Sequence, residues 1–220
     1  MANLQLIDSV VTITFYTYRA GFGWLGFLAM GWLRLPLTFN RKVAFWKLMG
    51  VGQSGFQPHG DSRKWAVLIV WRGEPDENTW WQQCMRATAE AKSFYLQPLF
   101  GHGLWDGVDP FASTISTSTP SSRIAVLTRA SIRWSKVKLF WANVPAVASD
   151  LSNSFHPEFS IGVGEMPYIR QATFSVWKNE EEMKRFAYQN QAHRKVMEMT
   201  KTHQWYNEEL FYRFRVFDER

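Results

Sequence analysis

The chain has 220 residues, 46% hydrophobic and 16% aromatic, enough to bury the core of one large domain or two small ones, which excludes disorder. Its formal net charge of +6 is spread along the sequence without a dense basic block or a nucleic-acid-binding motif, so no nucleic-acid partner is expected. A single cysteine, Cys84, excludes an internal disulfide and fits a reducing cytoplasm, and the N-terminus carries no secretory pattern.

Val10–Tyr18 alternates apolar and β-branched residues and reads as a strand. The next apolar run, Ala20–Leu33 (AGFGWLGFLAMGWL), is helix-like but shorter than the roughly 20 residues a membrane-crossing helix needs. It suits peripheral contact with a membrane surface. Leu48–Trp71 (LMGVGQSGFQPHGDSRKWAVLIVW) is a Gly-Val-Gly, a loop and a strand ending in Trp. An acidic turn, an amphipathic helix over Asp76–Ala91 and an aromatic strand over Ser93–Phe100 follow. Cys84 falls in that helix beside Trp80 and Trp81, which predicts a buried, inert thiol. The Ser/Thr-rich stretch Ala112–Ser122 then reads as a linker.

The pattern now repeats. Arg123–Arg133 is a second β-branched strand, residues 134–150 are helix-like, and Ser160–Trp177 (SIGVGEMPYIRQATFSVW) repeats the Gly-Val-Gly, loop and Trp-ended strand. A helix over Glu180–Thr202 and an aromatic strand over Glu209–Phe217 close the copy. The sequence thus predicts an α+β protein of two ferredoxin-like βαββαβ units, residues 1–111 and 123–220 joined by 112–122. Each unit leaves one sheet face bare, and pressing the two together would make a dimeric α+β barrel within one chain. Alternation assigns Ile124, Val126, Thr128, Ala130, Ile132, Ala172, Phe174, Val176, Leu210, Tyr212, Phe214 and Val216 to the helix side. Leu127, Arg129, Ser131, Gln171, Thr173, Ser175, Arg213 and Arg215 go to a partly polar inter-sheet interior.

On a helical wheel of 180–202, Met183, Phe186, Asn190, His193 and Met197 share one side, so His193 points inward between Phe186 and Met197. An imidazole in an apolar slot suits a proximal haem ligand, and it equally suits a core histidine satisfied by hydrogen bonds, the reading that position alone favours. The small Ala130 and Ala172 would leave room for a flat ring, with Thr128 and Phe174 beside them. His59 and His102 fall in Gly-rich loops, His156 precedes Pro157, and His203 falls at a helix end. No zinc or non-haem iron spacing, nucleophile elbow or phosphate loop is present; Gly50, Gly52 and Gly55 look like the last, but Gly-Val-Gly recurs at 162–164 and reads as a bend belonging to the repeat.

Four stretches resemble the spheroidene monooxygenase family of carotenoid ketolases: Phe45–Gly52 (FWKLMGVG), Ala125–Arg133 (AVLTRASIR), Ser160–Trp177, and Phe186–Phe214 with FAYQNQAH and WYNEELFYRF. The resemblance implies a haem oxidoreductase that inserts oxygen from O2 into a long hydrophobic polyene, with electrons from a donor such as ferredoxin. It implies His193 as the iron ligand in the second unit, with Phe186, Met197, Thr128, Ala130, Ala172 and Phe174 around the haem. Arg129 and Arg170 become candidates for propionate or pocket contacts, although alternation puts Arg129 on the other sheet face. Related chemistries, aldoxime dehydration or peroxidation, and a non-enzymatic haem or lipid carrier remain open, as does homo-oligomerisation.

Overall fold

β-Branched and aromatic residues at alternate positions make Val11–Tyr18 a strand (β1), and the computed structural model places seven more around it. Residues 10–52, 60–112, 123–143, 156–189, 199–200, 202 and 204–220 are described. Helices α1 (Gly23–Trp32) and α2 (Arg34–Phe39) follow β1, then β2 (Val43–Gly52), β3 (Gly60–Trp71), α3 (Trp80–Thr88) and β4 (Ala89–Gly103). The second half has β5 (Ile124–Ile132), a 3-10 turn at Trp134–Lys136 running into helix at 137–143, β6 (Phe159–Met166), β7 (Arg170–Trp177), α4 (Glu180–Gln189) and β8 (Tyr206–Glu219).

Both halves have the same antiparallel order, β4-β1-β3-β2 and β8-β5-β7-β6. This is the expected pair of ferredoxin-like sheets facing each other, with one addition: the sheet edges are hydrogen-bonded, β2 to β6 and β4 to β8, so the wall closes into an eight-stranded barrel. The Gly-Val-Gly repeat makes one of these seams. Gly50 pairs with Gly164 and Val51 with Val163, a two-fold arrangement in which equivalent segments meet antiparallel. A Cβ on Gly164 would lie 2.9 Å from the Arg170 carbonyl oxygen, so the close approach there requires glycine. These glycines stitch the wall, a role beyond the bend expected from sequence.

An eight-stranded barrel is just wide enough for side chains to fill it. Phe15, Phe94, Phe159 and Phe174, drawn from both halves, meet at centroid separations of 5.1 to 6.2 Å. Phe111, Tyr212 and Phe214 form a second aromatic group, with Asp109 accepting a 2.7 Å hydrogen bond from the Tyr212 hydroxyl. Burial and this carboxylate both push the Tyr212 phenol up from its ordinary value.

Register corrects the face assignment. Leu127 lies opposite Phe174 and Tyr212, and Arg129 opposite Ala172 and Leu210, and directly opposed residues share a face. Ala172, Phe174, Val176, Leu210, Tyr212, Phe214 and Val216 therefore fill the lumen with Leu127 and Arg129. Gln171, Thr173, Ser175, Arg213 and Arg215 look outward with Thr128 and Ala130. Two further expectations change. The helix of the first unit is shorter than Asp76–Ala91, because the chain turns extended at Ala89. It buries Trp81, Gln82 and Met85, which turns Cys84 to solvent instead of into the core.

Candidate functional site

Three helical segments lie on the outer face of the second sheet. Helix α4 begins where it does because the Asn179 side chain accepts a hydrogen bond from the Glu182 amide at 2.9 Å and three glutamates occupy the first, positive turn. Its apolar side joins Met183 and Phe186 to Ile124, Val126 and Trp177, with the Phe186 and Trp177 rings stacked at 5.4 Å. Farther along the same face, Ile132, Phe140 and Trp205 form a second cluster that takes in Ala130, Trp141 and Met199.

Between the two clusters the part of the floor on β5 and β7 is built of small side chains. Reading across β7, β5, β8 and β4, one row is Thr173, Thr128, Phe211 and His102. The Thr128 and Thr173 hydroxyls bond to each other, and the His102 ring lies 5.9 Å from that of Phe211. A neighbouring row holds Ser175, Val126 and Arg213, whose guanidinium lies 5.0 Å from the Phe100 ring centre and pairs with Glu180 at 2.9 Å. The result is a half-buried shelf with a hydroxyl-bearing centre and aromatic flanks.

The shelf unites some of the expected residues and separates others. Thr128, Ala130 and Phe186 belong to it. Ala172 and Phe174 are on the opposite side of the same sheet, inside the lumen. His193 and Met197 lie outside the described residues, as do His59 and His203, but chain on either side of 190–198 is held at this face, by Phe186 on Trp177 and by Met199 in the second cluster. His102, expected in a Gly-rich loop, lies within β4, because Gly101 and Gly103 around it serve a different purpose. A Cβ on Gly101 would strike the Tyr212 ring at 2.3 Å, so the glycines let β4 lie flat on β8 and carry His102 within a strand. Among the described residues no group of three His, Cys, Asp or Glu could hold a metal ion.

Arg129 and Arg170 do not reach the shelf. Both turn into one end of the lumen, where Lys47, Arg129 and Arg170 meet Asp106, Glu165 and Glu208 in an ionic cap. Its anchor is the turn between Trp105 and Val108, in which Asp106 and Gly107 both take positive φ (55° and 81°). Their amides donate to the Glu208 carboxylate at 3.0 and 2.8 Å, and the Trp105 indole N–H donates to Glu165 at 2.9 Å. Burial pushes the Asp106 carboxyl up, but the Lys47 ammonium and the Arg170 and Arg129 guanidiniums outweigh it and hold the group below the usual range. Glu208 is lowered likewise: the two turn amides and Arg129 overcome its desolvation. The other end of the lumen opens into a cavity of ≈ 330 Å³ whose lining includes Phe15, Val51, Phe159 and Ile161 below Lys64 and Lys92.

A 191-residue stretch covering 83% of the chain is 34% identical to spheroidene monooxygenase of Rhodobacter capsulatus, spanning 79% of that protein. The chain belongs to the spheroidene monooxygenase family. Family members from Cereibacter sphaeroides and Rubrivivax gelatinosus are 32% and 27% identical, with 59% and 71% of their lengths covered. Membership in this family makes the chain an oxidoreductase of the monooxygenase type. No family model matches the sequence. Among solved structures, an aldoxime dehydratase superposes with a TM-score of 0.61 at 11% identity over 99% of this chain and 84% of the other. A second, co-crystallised with butyraldoxime, gives 0.61 at 11% identity over 97% and 81%. At that identity the likeness speaks for the fold alone, the one the spheroidene monooxygenase family member adopts here.

Proposed function

We propose that the protein is a haem-dependent monooxygenase that inserts oxygen from O2 into a hydrophobic, carotenoid-like substrate, with His193 as the iron ligand and an electron donor of the ferredoxin type. The observation that carries this reading is the shelf on the second sheet. Its centre is floored by Thr128, Ala130 and Thr173 between two aromatic clusters, and chain on both sides of the His193 segment is held to it. A flat apolar ring needs this kind of floor: small side chains beneath, rings at the edges, water kept out on both flanks. Bound haem would supply the activation of dioxygen.

The chain's own residues supply the surroundings. Trp177 and Phe186 close one flank, and Phe140 and Trp205 the other. Of the paired Thr128 and Thr173 hydroxyls, one donates to its neighbour, which leaves the second proton free to donate to a bound polar atom. Substrates of this class are held in membranes, and peripheral membrane association on the cytoplasmic side belongs to the same reading; among the described residues no helix is long and apolar enough to cross a bilayer.

The test is an absorption spectrum of protein expressed with haem available. A Soret band is expected, and His193→Ala should lose or alter it while the far-UV circular dichroism stays unchanged; His203→Ala should alter neither. Turnover of a polyene with reductant under labelled O2 should place the label in the product. Wild-type protein that binds no haem, or an unaltered spectrum in His193→Ala, would overturn the assignment.

A further inference from the structure

α1 is apolar on every side and α2 is apolar except at Arg34 and Thr38, a pattern that leaves a surface helix with two greasy faces to cover. The sheet takes one: Gly26, Ala29, Leu33 and Leu37 are buried, with Gly26 lying directly beneath the Trp65 indole. The other face has no cover. Phe22, Trp24, Phe27, Leu28, Leu35 and Phe39 are between 51% and 79% exposed. Positions 24, 27, 28, 31, 35 and 39 fall at helical spacing, so the exposed side chains make one stripe along both helices. Isolated exposed apolar residues are ordinary; six large ones in a continuous stripe mark an interaction surface.

Charge identifies the partner. Residues 9–60 contain no Asp or Glu. Arg19, Arg34 and Arg41 are exposed beside the stripe, and none is paired with a carboxylate among the described residues. Elsewhere on the described surface, Arg63, Arg123, Arg170, Arg213 and Arg220 have carboxylate partners, and Arg72 and Arg133 bond to backbone carbonyls; the α1–α2 face differs in setting three arginines without a carboxylate partner along one apolar stripe. A two-fold contact between copies would set this basic, acid-free face against itself. An anionic, apolar-cored surface complements both properties at once.

We propose that the outer face of α1 and α2 docks the protein onto an anionic lipid bilayer, lying in the plane of the headgroups. Phe22, Trp24, Phe27, Leu28, Leu35 and Phe39 enter the headgroup–acyl boundary, and Arg19, Arg34 and Arg41 meet lipid phosphates. Helices lying flat need only one face in lipid, which fits two short segments that could not span. The proposal rests on the membrane association that belongs to the monooxygenase reading and assigns the surface that makes it; docking requires neither haem nor turnover, so the two can fail separately.

The test is co-sedimentation of the purified chain with vesicles of phosphatidylcholine, with and without phosphatidylglycerol. Binding is expected to the anionic vesicles at about 0.1 M salt and to weaken at about 1 M, where charge attraction is screened over a few ångströms. Leu28→Glu/Leu35→Glu changes two outward side chains and should keep the wild-type Tm while cutting the partition coefficient by roughly tenfold or more. Gly31→Leu is the converse variant: a Cβ there meets nothing within 4 Å, so the leucine adds to the stripe and should strengthen binding. Arg19→Gln/Arg34→Gln/Arg41→Gln should remove the preference for anionic vesicles. Wild-type protein that stays in the supernatant at low salt would overturn the proposal, as would unchanged binding by the double glutamate variant. So would a wild-type dimer in the absence of lipid that the glutamates convert to monomer, because the face would then be an interface between copies.

Discussion

Arg129→Met tests whether the ionic cap closes its end of the barrel through charge balance. The Arg129 side chain is only 1% exposed and faces Glu208, Asp106 and Glu165, while Lys47 and Arg170 supply the other two cations. Methionine keeps most of the volume but leaves three carboxylates against two cations. Breaking a buried pair from one side costs about 3 to 5 kcal/mol, and the low end applies because Glu208 keeps its two turn amides. For a chain of this size, about 3 kcal/mol lowers Tm by roughly 6 to 12 °C. Acid adds a second signature. Asp106 and Glu208 are held below the usual range, so their contribution is complete above an unfolded-state pKa of about 4 and disappears as pH falls through the lower folded values. Without Arg129 both carboxyls should rise, and the variant should have less to lose in acid. Thermal melts from pH 7 down to pH 3 should therefore show the wild-type and variant Tm values converging as pH falls. A Tm deficit that stays constant across that range, or a variant as stable as wild type at pH 7, would show that the cap is not held by charge balance.

Gly103 takes a φ of +106°, and its Cβ would lie 2.2 Å from the Glu209 carbonyl oxygen, so Gly103→Ala should destabilise by more than about 1 kcal/mol in urea titration. Gly31→Ala, in an exposed helical position with open space around it, should instead stabilise by roughly 0.5 to 1 kcal/mol in the same assay. Phe174→Ala removes a fully buried ring shared by Phe15, Phe94 and Phe159 and should cost about 3 to 5 kcal/mol, measured as a fall in the urea midpoint with an unchanged slope.

The duplicated strand and helix order could be read directly because period-two and helical patterns survive in both copies. Gly-Val-Gly also pointed correctly to a structural part, since it recurred where a phosphate loop would not. Which way each strand faces could not be read. In β5 both faces are apolar, with Ala125 and Leu127 inside and Ile124 and Val126 outside, so alternation fixes the phase within a strand but not between strands. The missing quantity is register: Leu127 opposite Phe174 puts Ala172 and Phe174 in the lumen and leaves Thr128 and Ala130 on the shelf. The same gap hid Arg129, whose charge is neutralised by Asp106, Glu165 and Glu208 from three separate stretches of chain. His102 was obscured by its flanking glycines, which resemble a turn until the Tyr212 ring that needs the space is seen.

The two seams of the barrel are very unequal. β4 and β8 run together from Phe94–Glu219 to Gly103–Leu210, whereas among the described residues β2 and β6 are joined only at Gly50–Gly164 and Val51–Val163. Local opening begins where the fewest cooperative bonds must break, so those amides of Gly50, Val51, Val163 and Gly164 that bridge β2 and β6 should exchange faster than the amides that bridge β4 and β8. The wall then behaves as two plates on a long hinge with a short latch, and the latch is the stretch of sequence that recurs in both copies. Whatever sets the strength of those two residue pairs sets how often the lumen breathes, while the hinge opposite sets whether the halves stay together when it does.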